Sequence, residues 1–294
     1  MTQELLFSAR GLPRTVDPFK TQLLKWIGNK QRFAHEIASF FPGDMGTYYE
    51  PFIGSGAVMA TLAPPRGVGS DVFRPLVEIW QTLAIAPETL KAWYSERWKI
   101  HQSGDRTKQY EKIKASYNKK PNGADLLFIC RSCYGGVVRF RQRDGFCSTP
   151  CGVHDPVSPE SFAQRVDEWH KRLRHCVFRC ADYREVMAEA KAGDVVYCDP
   201  PYVHSQAILY GAQRFSLRRL FEAIADCKSR GVFVALSIDG MKRTGNQLCK
   251  LPIPSGLFAK EIFVNCGRSM LRRFQMGGET LESEVVHDRL LLTN

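Results

Sequence analysis

The sequence predicts an α/β fold in which a strand-and-helix domain is interrupted by a basic, mainly helical insertion. Three observations predict it. Short apolar runs such as GDVVYC and VFVALSI alternate with amphipathic helical stretches on both sides of the chain's middle. Between about residues 75 and 158 helical periodicity replaces that alternation. At 294 residues the chain is long enough for one large domain or two modest ones.

The elements follow in order. An opening arm, residues 1–19, is polar, carries Pro13 and Pro18, and is expected to be loosely held. From Gly46, TYYEPFIGSGAVMATL reads as a short strand, a glycine loop and a helix start, and GVGSDV as a second strand ending at Asp71. Helices then follow over VEIWQTLAIA, PETLKAWYSERW with Pro87 in its first turn, DRTKQYEKIKASY and ADLLFICRSCYGG. RFRQRDGFCS reads as a hairpin turning near Asp144-Gly145. After Ser158, an N-cap followed by Pro159, comes the amphipathic helix of SPESFAQRVDEWHKRL, and CVFRC returns to strand. GDVVYC is a fully apolar strand, Ser216 caps SLRRLFEAIADCKSRG, VFVALSI is another buried strand, and KEIFVNC and DRLLLTN supply the last two. The expected division is an arm at 1–19, one domain from 20–74 and 159–294, and an insertion at 75–158.

Composition narrows the function. With 44% hydrophobic and 24% charged residues the chain is an ordinary globular one, not disordered or fibrous. Forty-one Lys and Arg against 30 Asp and Glu give a net charge of +11, which points to a polyanionic partner, nucleic acid first. Between Arg97 and Arg143 twelve basic residues face only Asp105, Glu111 and Asp125, so this segment is expected to be the electrostatic footprint. The N-terminus has no apolar run behind a basic cluster, and no stretch approaches the roughly 20 apolar residues that cross a bilayer. A cytoplasmic protein is expected, with its ten cysteines reduced.

Two motifs carry chemistry. Phe52-Ile53-Gly54-Ser55-Gly56 follows a strand, where glycines let the backbone approach a ligand, and Asp71 at the end of the next strand can bind ribose hydroxyls. A dinucleotide fingerprint would have a third glycine where Met59 stands, and a simple tight turn is the alternative. Asp199-Pro200-Pro201-Tyr202, directly after an apolar strand, is more specific. The exocyclic amine of adenine is a poor nucleophile because its lone pair is delocalised into the ring. Accepting one N–H on the Asp199 carboxylate and the other on the Pro200 carbonyl favours a tetrahedral amine whose lone pair points at an electrophilic methyl. Two prolines stiffen that presentation, and Tyr202 offers a face on which an extruded purine can stack. An Asp-Pro turn closing a strand is the bland alternative. Cys130-x2-Cys133 and Cys147-x3-Cys151 have spacing that could ligate zinc, but the first pair sits in an apolar helical stretch and no metal is expected. Cys198 is expected to point into the core.

Taken in order, Leu24-Lys25-Trp26-Ile27-Gly28-Asn29-Lys30, EPFIGSG, the insertion and DPPY make the chain resemble the Dam-type DNA adenine-N6 methyltransferases, the D12 or alpha-group class. The resemblance runs from Leu24 nearly to the C-terminus. It implies a Rossmann-like S-adenosylmethionine-dependent methyltransferase sheet with an inserted target-recognition domain. It implies that Trp26, Lys30, Asp71 and Asp199 lie at the S-adenosylmethionine site, with the loop from Phe52 through Gly54 to Gly56 wrapping the cofactor. The hairpin YGGVVRF is similar to the family's reading element, which places a base-stack probe at Tyr134 and a guanine reader at Arg139; an Arg fork suits guanine O6 and N7. Lys25 and Arg141 are the next candidates for DNA contact. Gly135 stands where the family often has Asn.

The expected activity is therefore methyl transfer to adenine N6 in duplex DNA, with base flipping. Cytosine N4 or an RNA amine is the alternative acceptor, and a non-catalytic DNA-binding protein is a third reading. A cognate restriction endonuclease is a candidate partner; no membrane is expected, and the oligomeric state is left open.

Overall fold

The computed structural model describes residues 14–141, 143–201, 215–239, 252–268 and 285–294. Its centre is a seven-stranded sheet built from β1 (Tyr48–Glu50), β2 (Gly67–Asp71), β3 (Cys176–Cys180), β4 (Val195–Cys198), β5 (Phe233–Asp239), β6 (Lys260–Arg268) and β7 (Val285–Leu292). Their order is β3-β2-β1-β4-β5-β7-β6. The first five in that order are parallel, and β7 runs antiparallel between β5 and β6. The chain begins in the middle at β1, steps outward through β2 to β3, and crosses back to β4 on the other side of β1. That reversal leaves a crevice beyond the carboxyl ends of β1 and β4, the place where open α/β sheets bind ligands.

Alternating side chains of the central strands are buried on both faces. Tyr48, Val195 and Tyr197 join a core containing Trp80 and Trp169, while Tyr49, Val196 and Cys198 join Val186, Met187, Leu220 and Ile224 on the other side. Cys198 is fully buried, as its place in an apolar strand predicts. Helices α1 (Ala34–Ser39), α2 (Ala57–Leu62), α3 (Arg74–Ile85), α7 (Pro159–Leu173), α8 (Tyr183–Glu189) and α9 (Leu217–Ser229) flank the strands. Ser158 and Ser216 cap α7 and α9, each accepting a backbone N–H from the first turn. Helices α1 and α8 are absent from the sequence reading: six and seven residues are too few to show a period.

The insertion holds α4 (Pro87–Gln102), α5 (Arg106–Lys119) and α6 (Gly123–Ser132). Its core is polar at one point: Asp125, buried, takes hydrogen bonds from Arg97 Nε at 2.7 Å, Ser116 Oγ at 2.8 Å and Asn122 Nδ2 at 2.9 Å. Helix α3, which falls almost wholly within the segment 75–158 read as the insertion, ties that segment to the sheet: Gln81 Nε2 donates to Phe178 O of β3 at 2.9 Å and Glu78 accepts the Gly123 N–H of α6 at 2.7 Å. The expected hairpin is present as two isolated antiparallel bridges, Cys133 with Cys151 and Phe140 with Cys147, and it turns at Gly145 with φ +67°. Among the described residues, no helix is long and apolar enough to cross a membrane.

Candidate functional site

The carboxyl ends of β1 and β4 open into a cavity of about 530 Å³, within the range of small-molecule sites. Three chain segments far apart in sequence meet there. Glu50 and the loop Pro51–Ser55 come from the end of β1, Asp71 from the end of β2, and Asp199, Pro200 and Pro201 from the end of β4. The segment Trp26–Lys30 closes one side and is irregular backbone.

The glycine loop is shaped by its packing. Gly54 and Gly56 both have left-handed backbone, φ +45° and +63°, which a side chain would strain. The Trp26 ring lies over Gly54, and a Cβ on Gly56 would meet the Trp80 ring at 3.3 Å. Trp80 Nε1 donates to Gly54 O at 3.1 Å, so the loop is braced from beneath by α3. Met59, in the place of a third glycine, is simply core.

Charge is concentrated at the cavity floor. Lys30 Nζ lies 2.9 Å from Asp199 Oδ1 and also donates to Gly28 O at 3.3 Å. Glu50 is 3% exposed, accepts the Tyr48 hydroxyl at 2.8 Å, and has its carboxyl pushed up to about 8 by burial, with the nearby Asp199 charge adding to the effect and the Tyr48 hydroxyl opposing it. At neutral pH the floor is thus a neutral acid beside a carboxylate–ammonium pair. Asp71 accepts the Phe73 N–H at 3.0 Å, which fixes its carboxylate at the rim.

Of the residues singled out in the sequence, the structure brings Trp26, Lys30, Phe52, Gly54, Asp71, Asp199, Pro200 and Pro201 into this one cavity; Gly56 shapes its loop from behind. Tyr202 lies outside the described residues. Lining residues that were not foreseen include Glu50, Asp182, Tyr183 and Phe215. Phe52 stacks on Tyr183 with centroids 5.1 Å apart and meets Phe215 edge-on at 6.0 Å, which makes an aromatic wall on one side of the cavity. Asp182 caps α8 by accepting the Arg184 N–H at 2.9 Å. An Asp two residues beyond the end of CVFRC was the available signal, since carboxylates at strand ends had already been used for Asp71.

The candidate DNA contacts lie on the insertion's hairpin and beside it. Tyr134 and Arg139 are exposed, as is Lys25, whose methylenes pack over Gly136. Arg141 is tied down: its guanidinium donates to both Asp144 oxygens, at 3.2 and 2.9 Å, and lies 4.1 Å above the Phe146 ring. The expected footprint is thinner than its composition implies. Arg131 is buried and donates to Leu23 O at 2.9 Å, Arg97 is used on Asp125, and Lys114 pairs with Glu111 at 2.7 Å.

Comparison with known proteins places this geometry. A family model described as D12 class N6 adenine-specific DNA methyltransferase matches residues 26–251. The chain is 27% identical over 228 residues to a DNA adenine methylase of Vibrio cholerae, covering 73% of this chain and 79% of that protein. It is 29% identical over 187 residues to the Retron Ec67 DNA adenine methylase of Escherichia coli, covering 61% and 63%. It is 26% identical over 230 residues to the Type II methyltransferase M1.LlaDCHI of Lactococcus lactis subsp. cremoris, covering 72% and 79%.

Proposed function

Because the chain belongs to the D12 class N6 adenine-specific DNA methyltransferase family, we propose that it transfers the methyl group of S-adenosylmethionine to the N6 amine of an adenine swung out of duplex DNA. The observation that carries this reading is the Lys30–Asp199 pair, 2.9 Å apart, on the floor of a cavity framed by the glycine loop of β1 and the Asp-Pro-Pro turn of β4.

The residues fit the donor. When bound, S-adenosylmethionine supplies an electrophilic methyl on a sulfonium. The aromatic wall of Phe52, Tyr183 and Phe215 suits the face of a purine, the fixed Asp71 carboxylate suits ribose hydroxyls, and the Lys30–Asp199 pair beside Glu50 offers one charge of each sign to a zwitterionic amino-acid moiety. Trp26 and Lys30 close the site from the side. For the acceptor, the Asp199 carboxylate and the Pro200 carbonyl take the two N–H bonds of the amine and free its lone pair. Lys30 pairs with Asp199 and aims its carboxylate. Tyr202 supplies the stacking face for the extruded base, and because a paired amine is unreachable, flipping precedes transfer.

The insertion, taken as residues 75–158, supplies the duplex-reading surface. Tyr134 probes the stack, Arg139 reads a guanine, Lys25 contributes a further DNA contact from the side, and Arg141 is released to DNA only when it leaves Asp144. A Type II methyltransferase among the relatives supports a place beside a cognate restriction endonuclease, in the cytoplasm. The test is transfer of labelled methyl from S-adenosylmethionine to duplex DNA, followed by nucleoside analysis. N6-methyladenine, with 2-aminopurine fluorescence rising at the target position, is the expected result. N4-methylcytosine, or label on RNA alone, would replace the reading with its alternatives.

A further inference from the structure

Methyl transfer makes no use of the four cysteines that bracket the hairpin. Among the described residues no group of three or more His, Cys, Asp or Glu is placed to hold a metal ion. The backbone, however, sets one pair apart. Cys133 and Cys151 face each other as an antiparallel bridge. Tyr134 N donates to Pro150 O at 2.9 Å and Gly152 N donates to Ser132 O at 2.8 Å. These bonds flank the two cysteines and do not join them, so the pair is of the narrow, non-hydrogen-bonded kind, with Cα atoms about 4.5 Å apart and side chains on the same side of the ribbon. That spacing falls within the roughly 4.4 to 6.8 Å that a disulfide bridges. Cys147 stands opposite Phe140 instead, and Cys130 lies within α6.

We propose that Cys133 and Cys151 are a thiol modification site: exposed to a small-molecule disulfide, they close into a reversible cross-strand bond that ties the root of the hairpin. Cys151 is partly exposed and Cys133 buried, which sets the order of events. The Cys151 thiolate attacks the small disulfide, breaking its S–S bond, forming a mixed disulfide and expelling one thiolate. The Cys133 thiolate then attacks the Cys151 sulfur and expels the second. The protein loses two protons and two electrons, and the small disulfide leaves as two thiols. Burial holds both thiols above the usual cysteine range, so exchange is slow at neutral pH and faster in alkali. Tyr134 follows Cys133 directly, so the bond fixes the backbone that carries its exposed ring. In a reducing environment the pair stays as two thiols, and an excess of small disulfide is what closes it.

The experiment incubates the full chain with a millimolar excess of oxidised glutathione at mildly alkaline pH, blocks the remaining thiols with N-ethylmaleimide, and maps linked peptides by mass spectrometry without reduction. The expected product joins the Cys133 peptide to the Cys151 peptide, is undone by dithiothreitol, and slows amide exchange at Tyr134 and Gly152. Cys151→Ser should abolish the link and leave that exchange the same in both conditions. A link from Cys133 to Cys130 or Cys147, a glutathione adduct that stays on Cys151, or no linkage at all overturns the proposal. The mapping is done on the unmodified chain, so it stands even if the variant does not fold.

Discussion

Replacing Lys30 by Met removes the cation that sits 2.9 Å from Asp199 and leaves the apolar part of the side chain in place. The two side chains are 5% and 18% exposed, so the pair is mostly shielded from solvent, and the buried acid Glu50 lies on the same floor. Deleting one partner of a fully buried pair costs about 3 to 5 kcal/mol, because an uncompensated charge stays behind. The residual exposure of Asp199 lets water share the load, which brings the expectation to about 2 to 3 kcal/mol. For a chain of this length that is a fall in Tm of roughly 3 to 5 °C. Asp199→Asn should also destabilise, since Lys30 keeps its charge at 4% exposure. The double variant Lys30→Met with Asp199→Asn should recover part of both losses, giving a coupling of about 1 to 3 kcal/mol. Urea unfolding of the four proteins without cofactor, at one pH, measures it independently of catalysis. If the two single losses simply add within about 0.5 kcal/mol, the pair is not the electrostatic unit described here and Lys30 does not hold Asp199.

Asp199→Ala should lower methyl transfer about 100- to 1000-fold while duplex binding persists; turnover above about a tenth of the parent at saturating cofactor would remove the carboxylate from the chemistry. Glu50, with its carboxyl raised from 4.5 to about 8, keeps a proton in the folded state that the unfolded chain gives up, so its contribution to stability declines as pH rises through that window, by about 1.4 kcal/mol per unit, and levels off above it. Glu50→Gln should flatten that slope in cofactor-free unfolding curves, and an unchanged slope would place the titration elsewhere. Gly56→Ala should cost about 1 to 2 kcal/mol through its left-handed backbone and the Trp80 ring, read as a lowered urea midpoint with an unchanged slope. Arg139→Ala should cost about 1 to 3 kcal/mol on the preferred duplex and relax one base pair, whereas Lys119→Ala should weaken all duplexes alike at one salt concentration; equal losses on every duplex would make Arg139 a phosphate contact.

The strands and the two acids at their ends were legible because each depends on a local pattern. GDVVYC has no polar alternation and runs straight into Asp199, and the strand within GVGSDV ends on Asp71, so strand and candidate carboxylate come from one short string. Glu50 was not legible as a site residue, although it sits in EPFIGSG. Its character comes from the full burial created when α2 and β4 close over β1, and no local window contains that. The wall of Phe52, Tyr183 and Phe215 is hidden for the same reason: three aromatics from three segments far apart in sequence, Tyr183 opening α8 and the other two on loops, look like ordinary core in each of them. The hairpin was found by its Asp-Gly turn, but its ladder was overestimated. Among the described residues two isolated bridges form, and Tyr134–Gly136 is a tight helical turn with Gly135 and Gly136 in left-handed backbone.

Net charge was the least discriminating signal, and the structure gives the reason. Basic residues counted together between Arg97 and Arg143 divide into groups with different tasks. Arg131 and Arg97 are turned inward, where a guanidinium satisfies buried carbonyls and the Asp125 carboxylate, and Lys114 reaches both Glu111 and Thr149 O. Such residues hold the insertion together and present little field to a polyanion. Arg141 is intermediate, since a phosphate must displace Asp144 and compete with the Phe146 ring before it gains the guanidinium. Arg139 differs from all of these: it is exposed on the same hairpin and has no ion pair among the described residues. A guanidinium without a resident carboxylate loses little on meeting a base edge, which is why specificity is assigned to that one arginine and not to the charge of the segment.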